Sequence, residues 1–141
     1  MPIRELTPDE TALAFEVMRE LRTHLESVED FVDQVNEHQR PDGYRLVALF
    51  DDGEVASVAG FRRGWSLAWG DHLYVDDLVT AEAFRGRGHA SAVLEWIGAE
   101  ARRLGSAQVH LDSGAHRHDA HRLYLSHGFR ITGLHFATDI S

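Results

Sequence analysis

The chain has 141 residues, no cysteine, and a formal net charge of −9 from 14 basic and 23 acidic residues. A chain of this length is typical of one domain, so we predict a single domain over residues 1–141. The absence of cysteine excludes a disulfide framework, a thiolate metal site and a cysteine nucleophile.

The charge is uneven along the chain, because residues 1–60 hold 5 Arg and 14 acidic residues while residues 61–141 hold 9 of each. Sequence-independent nucleic-acid binding needs a basic face, so no nucleic-acid partner is expected. No apolar run approaches the roughly 18 residues of a membrane span, and the charged N-terminus lacks the apolar core of a signal peptide. We therefore expect a cytoplasmic protein with no membrane partner.

The first half of the chain predicts a strand, two helices and a hairpin. A short strand covers "IREL". Thr7, Pro8 and Glu10 then form a helix start, with a capping box and a proline at the first helical position. A second helix fits residues 27–38. "YRLVALF" and "EVASVAGFRR" are strands joined by the turn sequence Asp-Asp-Gly.

The second half begins with "WSLAWGDHLYVDDLVT", which continues as strand with a break near Gly70. A helix runs from about Ala90 to Leu104 and ends at a glycine. A strand "AQVHLD", a helix from Asp119 to His127 and a terminal strand "RITGLHFATDI" follow. The order β-α-α-β-β-β-α-β-α-β implies an α+β fold with a mixed sheet and helices on both of its faces.

The sequence "RGRGHA", residues 85–90, leads directly into the helix that follows it. The first N–H groups of a helix have no internal partner, and that end of the helix carries a partial positive charge. Glycines let successive amides approach one centre, for which phosphate is the natural occupant. A Walker loop is excluded because all basic residues are arginine, and a Rossmann fingerprint lacks its three spaced glycines.

Two motifs with matching spacing resemble the GNAT-type N-acetyltransferases. Arg85-x-x-Gly88-x-Ala90, after "LYVDDLVT", is similar to the coenzyme A pyrophosphate loop of that family, Gln/Arg-x-x-Gly-x-Gly/Ala. "AHRLYLSHGF", which ends at Phe129, resembles the last motif of the family, an Ala-x-x-x-Tyr helix that ends in Gly-Phe. The resemblance is good over residues 72–129 and only topological over residues 1–71.

The resemblance implies a GNAT-like mixed sheet of six or seven strands that splays between its fourth and fifth strands, with acetyl-CoA in the gap. The pantetheine would pair with backbone groups of Leu78, Val79 and Thr80, as an added strand would. Many members carry Asn where this chain has Arg117, and that Asn often contacts the pantetheine. In this chain the contact is either absent or made by the charged side chain of Arg117. The pyrophosphate would rest on the amides of Arg85, Gly86, Arg87, Gly88, His89, Ala90 and Ser91.

Acetyl transfer to an amine needs a base for the ammonium, a donor for the tetrahedral oxyanion and a proton for the thiolate. The resemblance implies that the oxyanion donor is an amide near Val79. It also implies that the Tyr124 hydroxyl lies near the coenzyme sulfur and supplies the last proton. The alternative is a core tyrosine whose hydroxyl is hydrogen-bonded.

Asp76 and Asp77 are the base candidates, and "DDLV" resembles acidic pairs at this place in polyamine-type relatives. Adjacent strand residues point to opposite faces, so without a bulge only one of the two carboxylates can reach the acceptor. A salt bridge and an exposed strand edge are alternative interpretations. A water chain that delivers the proton is another.

Several histidines crowd the last third of the chain: His110, His116, His118, His121 and His127. Zinc could use three of them, but loop histidines are usually solvated, so no metal site is expected. His121 is expected to hydrogen-bond within the corner that begins at "DSG". The tryptophans indicate core or dimer contacts, and a homodimer is left open.

We therefore expect an acetyl-CoA-dependent N-acetyltransferase that acts on a primary amine by direct attack in a ternary complex. The acidic residues 1–60 favour a small cationic amine or a peptide amine as acceptor, because a cleft lined by one sign of charge attracts the opposite sign. The alternative is a non-catalytic acyl-CoA-binding regulatory module. A flavodoxin-like phospholigand binder is disfavoured because its phosphate loop would follow the first strand.

Overall fold

The structure, a computed structural model, describes residues 2–140. The chain divides into two compact units, one that ends at Leu111 and one that begins at Asp112. The first unit holds a five-stranded sheet in the spatial order β1-β2-β3-β4-β5. Its strands are β1 (Ile3–Glu5), β2 (Arg45–Asp51), β3 (Glu54–Ser66), β4 (Gly70–Thr80) and β5 (Gln108–Leu111).

Strand pairing follows the chain order from β1 to β4, where every neighbouring pair is antiparallel, and β5 then pairs in parallel with β4. Asp52 and Gly53 close the β2–β3 hairpin with φ angles of 54° and 81°. Positive φ at both central residues is typical of the tight turn that Asp-Gly sequences favour, so the predicted hairpin is confirmed.

The first two helical segments begin at polar capping residues, as predicted for Thr7. Glu10 accepts a hydrogen bond from the Thr7 backbone N–H at 3.1 Å, and Ser27 accepts one from the Asp30 N–H at 3.0 Å. These bonds satisfy amides that have no partner within the helix.

The first long helix starts as a 3-10 segment (Pro8–Ala14). The α-helices are α1 (Phe15–Leu21), α2 (Val28–Gln34), which continues into a π-turn (Val35–Gln39), and α3 (His89–Leu104).

Alternation along the central strands places a core on each face of the sheet. Leu46 and Ala48 of β2 pack with Phe15 and Phe31 under α1 and α2. The intervening side chains point to the other face, where Phe61 meets Trp96 of α3 with the ring centroids 6.0 Å apart. Helices therefore cover both faces of the sheet in the first unit, as the sequence predicts.

The second unit holds one helix, α4 (His118–Ser126), close to its predicted bounds. The terminal strand predicted for residues 130–140 is wrong, because these residues form no strand and their large apolar side chains are exposed. Alternating hydrophobicity predicts a strand only where a partner strand supplies the hydrogen bonds. The α+β class is confirmed, with five strands among the described residues rather than six or seven.

No helix within residues 2–140 is both long and apolar enough to cross a membrane.

Candidate functional site

A β-bulge in β4 brings both candidate carboxylates to one face of the sheet. Gly60 of β3 pairs with Asp77, but the next β3 residue, Phe61, pairs with Val75, so Asp76 is an extra residue in the ladder. An extra residue breaks the alternation of side chains at that point. Asp76 and Asp77 therefore both face α1, and sequence alternation alone predicted that only one would.

The two carboxylates line a cavity of about 490 Å³ beside α1 and α2. Arg22, at the end of α1, and Arg62 of β3 line the same space, together with Tyr44 just before β2. Sequence reasoning missed these three residues. Arg22 and Tyr44 lie 55 and 33 positions from Asp77, and the contact of Arg62 with Asp76 depends on the register of the β3–β4 pair. The cavity thus combines acidic and basic side chains, an arrangement that can bind an amine and an anionic group together.

Asp76 is the more exposed of the two carboxylates, with 27% of its side chain accessible against 13% for Asp77. Its Oδ2 accepts a hydrogen bond from Arg62 Nε at 3.0 Å. Burial raises the pKa of Asp76 above its ordinary value, and the negative charge of Asp77 acts in the same direction, against the opposing effect of Arg62. A carboxylate with a raised pKa is better matched to accept a proton near neutral pH.

Asp77 is held by two donors on separate oxygens. Arg22 Nε donates to its Oδ1 at 2.9 Å, and the Tyr44 hydroxyl donates to its Oδ2 at 2.7 Å. Burial raises the pKa of Tyr44 well above its usual value, and the charge of Asp77 adds to this effect, so the hydroxyl keeps its proton. Gly60 makes room for the contact, because a Cβ at that position would overlap the Tyr44 hydroxyl.

The pairing of β4 with β5 ends at Val75, just before the two carboxylates, where the splay is predicted. The parallel ladder joins His72–Val75 to Gln108–Leu111 and ends there. Leu78, Val79 and Thr80 lie beyond its last pair, although β4 continues to Thr80. Strand β5 therefore makes no ladder pair with the three residues of β4 that are predicted to bind pantetheine.

The predicted pyrophosphate loop opens α3 with two glycines in the left-handed region. Gly86 has φ 81° and Gly88, the N-cap residue, has φ 79°. No side chain caps the helix, so the amides of its first turn point outward without a side-chain acceptor at the cap. This geometry is suited to an anion at the helix N-terminus.

Charged side chains near the loop contact other protein groups. Asp51, at the end of β2, accepts hydrogen bonds from His89 Nε2 at 2.8 Å and from Arg87 Nη1 at 2.9 Å. Arg85 Nε donates to the Thr80 carbonyl at 3.3 Å. His89 and Asp51 are both buried. Asp51 was not among the site residues predicted from the sequence. The one sequence feature that indicates it is a charged residue at the end of a buried strand.

Tyr124 and Arg117 belong to the second unit, where they contact each other. Tyr124 is buried on α4, with its ring against Phe129 at 5.9 Å between centroids. Burial raises the pKa of Tyr124, while a hydrogen bond and the charge of Arg117 oppose that rise. The hydroxyl is therefore protonated at neutral pH, as a proton donor must be.

Among the remaining histidines and tryptophans, His121 and Trp69 make structural contacts. His121 Nε2 donates to the Gly114 carbonyl at 2.8 Å, which confirms the predicted corner. Trp69 stacks on His110 with centroids 3.6 Å apart, and Trp65 is exposed. Over residues 2–140, no group of three or more His, Cys, Asp or Glu side chains is arranged to hold a metal ion.

Comparison with known proteins connects this geometry to a family. A model described as the acetyltransferase (GNAT) family matches residues 11–129. The chain is 32% identical over 123 residues to the uncharacterized N-acetyltransferase YhdJ of Bacillus subtilis (strain 168), over 86% of each protein. It is 30% identical over 94 residues to the aminoalkylphosphonate N-acetyltransferase of Salmonella typhimurium (strain LT2), over 66% of this chain and 60% of that protein.

Solved structures share the fold at low sequence identity. The ribosomal-protein-alanine N-acetyltransferase from Brucella melitensis biovar Abortus 2308 superposes with a TM-score of 0.85 at 13% identity, over 99% of this chain and 100% of that one. The family match includes the bulged strand, the glycine loop and the α4 motif. The chain therefore belongs to the GNAT family of acetyltransferases.

Proposed function

We propose that this protein moves the acetyl group of acetyl-CoA to a primary amine by direct attack in a ternary complex. The observation that carries the proposal is the bulge that turns Asp76 and Asp77 into one cavity, immediately before the unpaired edge of β4. A base for the amine and a binding edge for the donor then lie on consecutive residues of one strand. Residues 1–141 act as one catalytic domain in this proposal.

The coenzyme is proposed to lie along Leu78, Val79 and Thr80, with its pyrophosphate at the amides of residues 85–91. Two features support this placement: the ladder that ends at Val75, and the positive φ of Gly86 and Gly88. Because Arg87 is already paired with Asp51, the backbone amides rather than the loop charges would provide most of the anion binding.

The chemistry removes two protons from the acceptor nitrogen, one before attack and one after it, and supplies one proton to the sulfur. A carboxylate of the cavity takes a proton from the ammonium, whose pKa is near ~10 as for lysine. The neutral nitrogen bonds to the thioester carbon, and an amide near Val79 donates to the oxyanion. As the C–S bond breaks, the positively charged nitrogen loses its second proton to solvent, and Tyr124 gives the departing thiolate a proton. Arg117 is proposed to help set the acidity of that hydroxyl.

The acceptor is proposed to bind with its amine beside Asp76. A small cationic amine or a peptide amine is the class that the acidic residues 1–60 favour. Of those acidic residues, Asp42 lines the cavity with Asp76 and Asp77. Support for a cationic acceptor therefore comes from these three carboxylates and not from the net charge of the whole segment.

A second acceptor class is an amine that also carries an anionic group. Arg22 and Arg62 line the same cavity, each with a planar guanidinium suited to phosphonate or carboxylate. The Salmonella typhimurium relative bears the name aminoalkylphosphonate N-acetyltransferase. Because both arginines are paired with the cavity carboxylates, an anionic group would have to share or displace those pairs.

Release of free thiol from acetyl-CoA tests the proposal, with polyamines, basic peptides, amino sugars, amino acids and aminoalkylphosphonates as acceptors. A cationic acceptor predicts that kcat/KM falls steeply as salt screens the cleft. Preference for an aminoalkylphosphonate, reduced by Arg62→Gln, would select the second class. Acetyl-CoA binding without thiol release from any amine would instead support the regulatory module.

A further inference from the structure

We propose that Asp77 and Tyr44 are positioning residues for acetyl transfer, and that Asp76 is the carboxylate that takes the proton from the amine. This assignment rests on the proposed function and deepens it. The two aspartates are neighbours on one strand and line one cavity, so sequence alone treats them alike. The two carboxylates differ in their hydrogen-bond partners and in the exposed fraction of their side chains.

Both carboxylate oxygens of Asp77 already accept a hydrogen bond from the protein. Arg22 occupies Oδ1 and the Tyr44 hydroxyl occupies Oδ2, at 2.9 and 2.7 Å. Charge-assisted hydrogen bonds of this kind fix the orientation of the carboxylate. With 13% of its side chain accessible, Asp77 is the less available of the two carboxylates to an incoming ammonium.

The contact between Tyr44 and Asp77 depends on three distant segments. Tyr44 is buried before β2, its hydroxyl stands where a Cβ of residue 60 would be, and Gly60 is the ladder partner of Asp77 at the bulge. From the other side, Arg22 Nη2 donates to the Asp76 carbonyl at 2.8 Å. Together, Tyr44 and Arg22 hold the bulge that turns Asp76 into the cavity.

Both oxygens of Asp76 also accept hydrogen bonds, but from one partner: Arg62 Nη2 donates to Oδ1 at 3.2 Å, and Arg62 Nε donates to Oδ2 at 3.0 Å. Its carboxylate contacts Arg62, which is itself partly exposed, and more of its side chain reaches the cavity. The negative charge of Asp77, kept in place by Tyr44 and Arg22, disfavours a second ionised carboxylate nearby. Asp77 thus favours proton uptake at Asp76 without itself touching the acceptor.

A double-mutant cycle on Tyr44→Phe and Asp77→Asn tests this assignment, with Asp76→Asn alongside. Tyr44→Phe removes one hydroxyl and keeps the buried ring, so the fold is retained. We expect either single change to lower kcat about 10- to 100-fold, the effect of losing one charge-assisted hydrogen bond. The KM for acetyl-CoA stays unchanged, because the coenzyme loop is untouched.

The double variant separates a positioning role from a general loss of packing. If Tyr44 acts through Asp77, the double variant is no slower than Asp77→Asn alone. Asp76→Asn should lower kcat by the ~10²- to 10⁴-fold expected of a general base, well below Asp77→Asn.

Three outcomes would overturn the assignment while leaving the acetyltransferase reaction standing. They are an Asp77→Asn variant as inactive as Asp76→Asn, a Tyr44→Phe variant equal to wild type, and multiplicative losses in the double variant. A wild-type protein that acetylates no amine would overturn the proposed function, and this assignment with it.

Discussion

Asp51 and His89 lie 2.8 Å apart, Oδ2 to Nε2, and join the end of β2 to the first residue of α3. Both side chains are buried. Hydrogen bonds from His89 and Arg87 lower the pKa of Asp51, against the opposing effect of burial. These contacts therefore connect the glycine loop and the start of α3 to the end of β2, at a residue 38 positions before His89.

Gly88→Val is expected to abolish acetyl-CoA binding, measured by calorimetry. No atom lies within 4 Å of a Cβ at Gly88, so the strain arises from its φ of 79° and not from a clash. A β-branched residue disfavours that region strongly.

Gly105→Val is the matched control, because Gly105 ends the same helix at φ 82° and also has open space around its Cβ. Both variants should lose thermal stability by similar amounts, but Gly105→Val should keep its affinity for acetyl-CoA. Wild-type affinity in Gly88→Val would remove the loop from the coenzyme site.

Tyr124→Phe is expected to lower kcat by ~10²- to 10⁴-fold, the range for loss of a proton donor. Affinity for acetyl-CoA, measured by calorimetry, should change little, since the buried ring and its contact with Phe129 are retained. An unchanged kcat at saturating substrates, with chemistry shown to limit turnover, would exclude Tyr124 as the acid.

Gly60→Ala is expected to destabilise the fold by about 1 to 3 kcal/mol, the usual cost of overpacking. The added methyl group would overlap the Tyr44 hydroxyl and push it from Asp77. Gly98→Ala is the control, because Gly98 lies within α3 with open space around it, where alanine is neutral or stabilising. Equal unfolding free energies of the two variants in urea would contradict the packing of Tyr44 on Gly60.

Much of the fold can be predicted from local signals. Local signals act within a few residues, so the elements they mark begin and end near the expected positions. They are the capping residues Thr7 and Ser27, the Asp-Gly turn and the glycines just before α3. The terminal segment shows the limit of this approach, because a strand needs a partner edge as well as an alternating pattern.

The cavity could not be predicted in the same way. Tyr44 and Asp77 are 33 positions apart, and Arg22 and Asp77 are 55 apart. The bulge at Asp76 depends on the register between two strands, which alternation within one strand does not determine. Sequence reasoning therefore found the two carboxylates but could not say that both share one face.

The Glu100→Gln variant is expected to be less stable than wild type at neutral pH. Its free energy of unfolding should also fall less than that of wild type as the pH is lowered. Hydrogen bonds from Arg103 and then Arg45 lower the pKa of Glu100 to about 2, against the opposing effect of burial. Because the pKa of Glu100 is lowered, its ion pairs stabilise the fold fully at pH values above ~4.5, the ordinary pKa of a glutamate. That contribution disappears as the pH falls towards 2. Allowing for solvent screening, the contribution is about 1 to 2 kcal/mol.

The measurement for Glu100 is urea unfolding between pH 7 and pH 2, with Glu95→Gln on the exposed face of the same helix as control. The control should follow wild type within about 0.5 kcal/mol, as surface changes usually do. If Glu100→Gln lost stability with acid as steeply as wild type, the ion pairs at Glu100 would not contribute as proposed.

Initial-rate kinetics with acetyl-CoA and an accepted amine both varied tests the central claim most directly. Direct attack in a ternary complex predicts lines that intersect in double-reciprocal plots, with acetylated amine formed in equal amount to free coenzyme. Parallel lines would indicate a covalent acetyl-enzyme and contradict direct attack. Bound acetyl-CoA with no acetylated product from any amine would contradict the transferase itself.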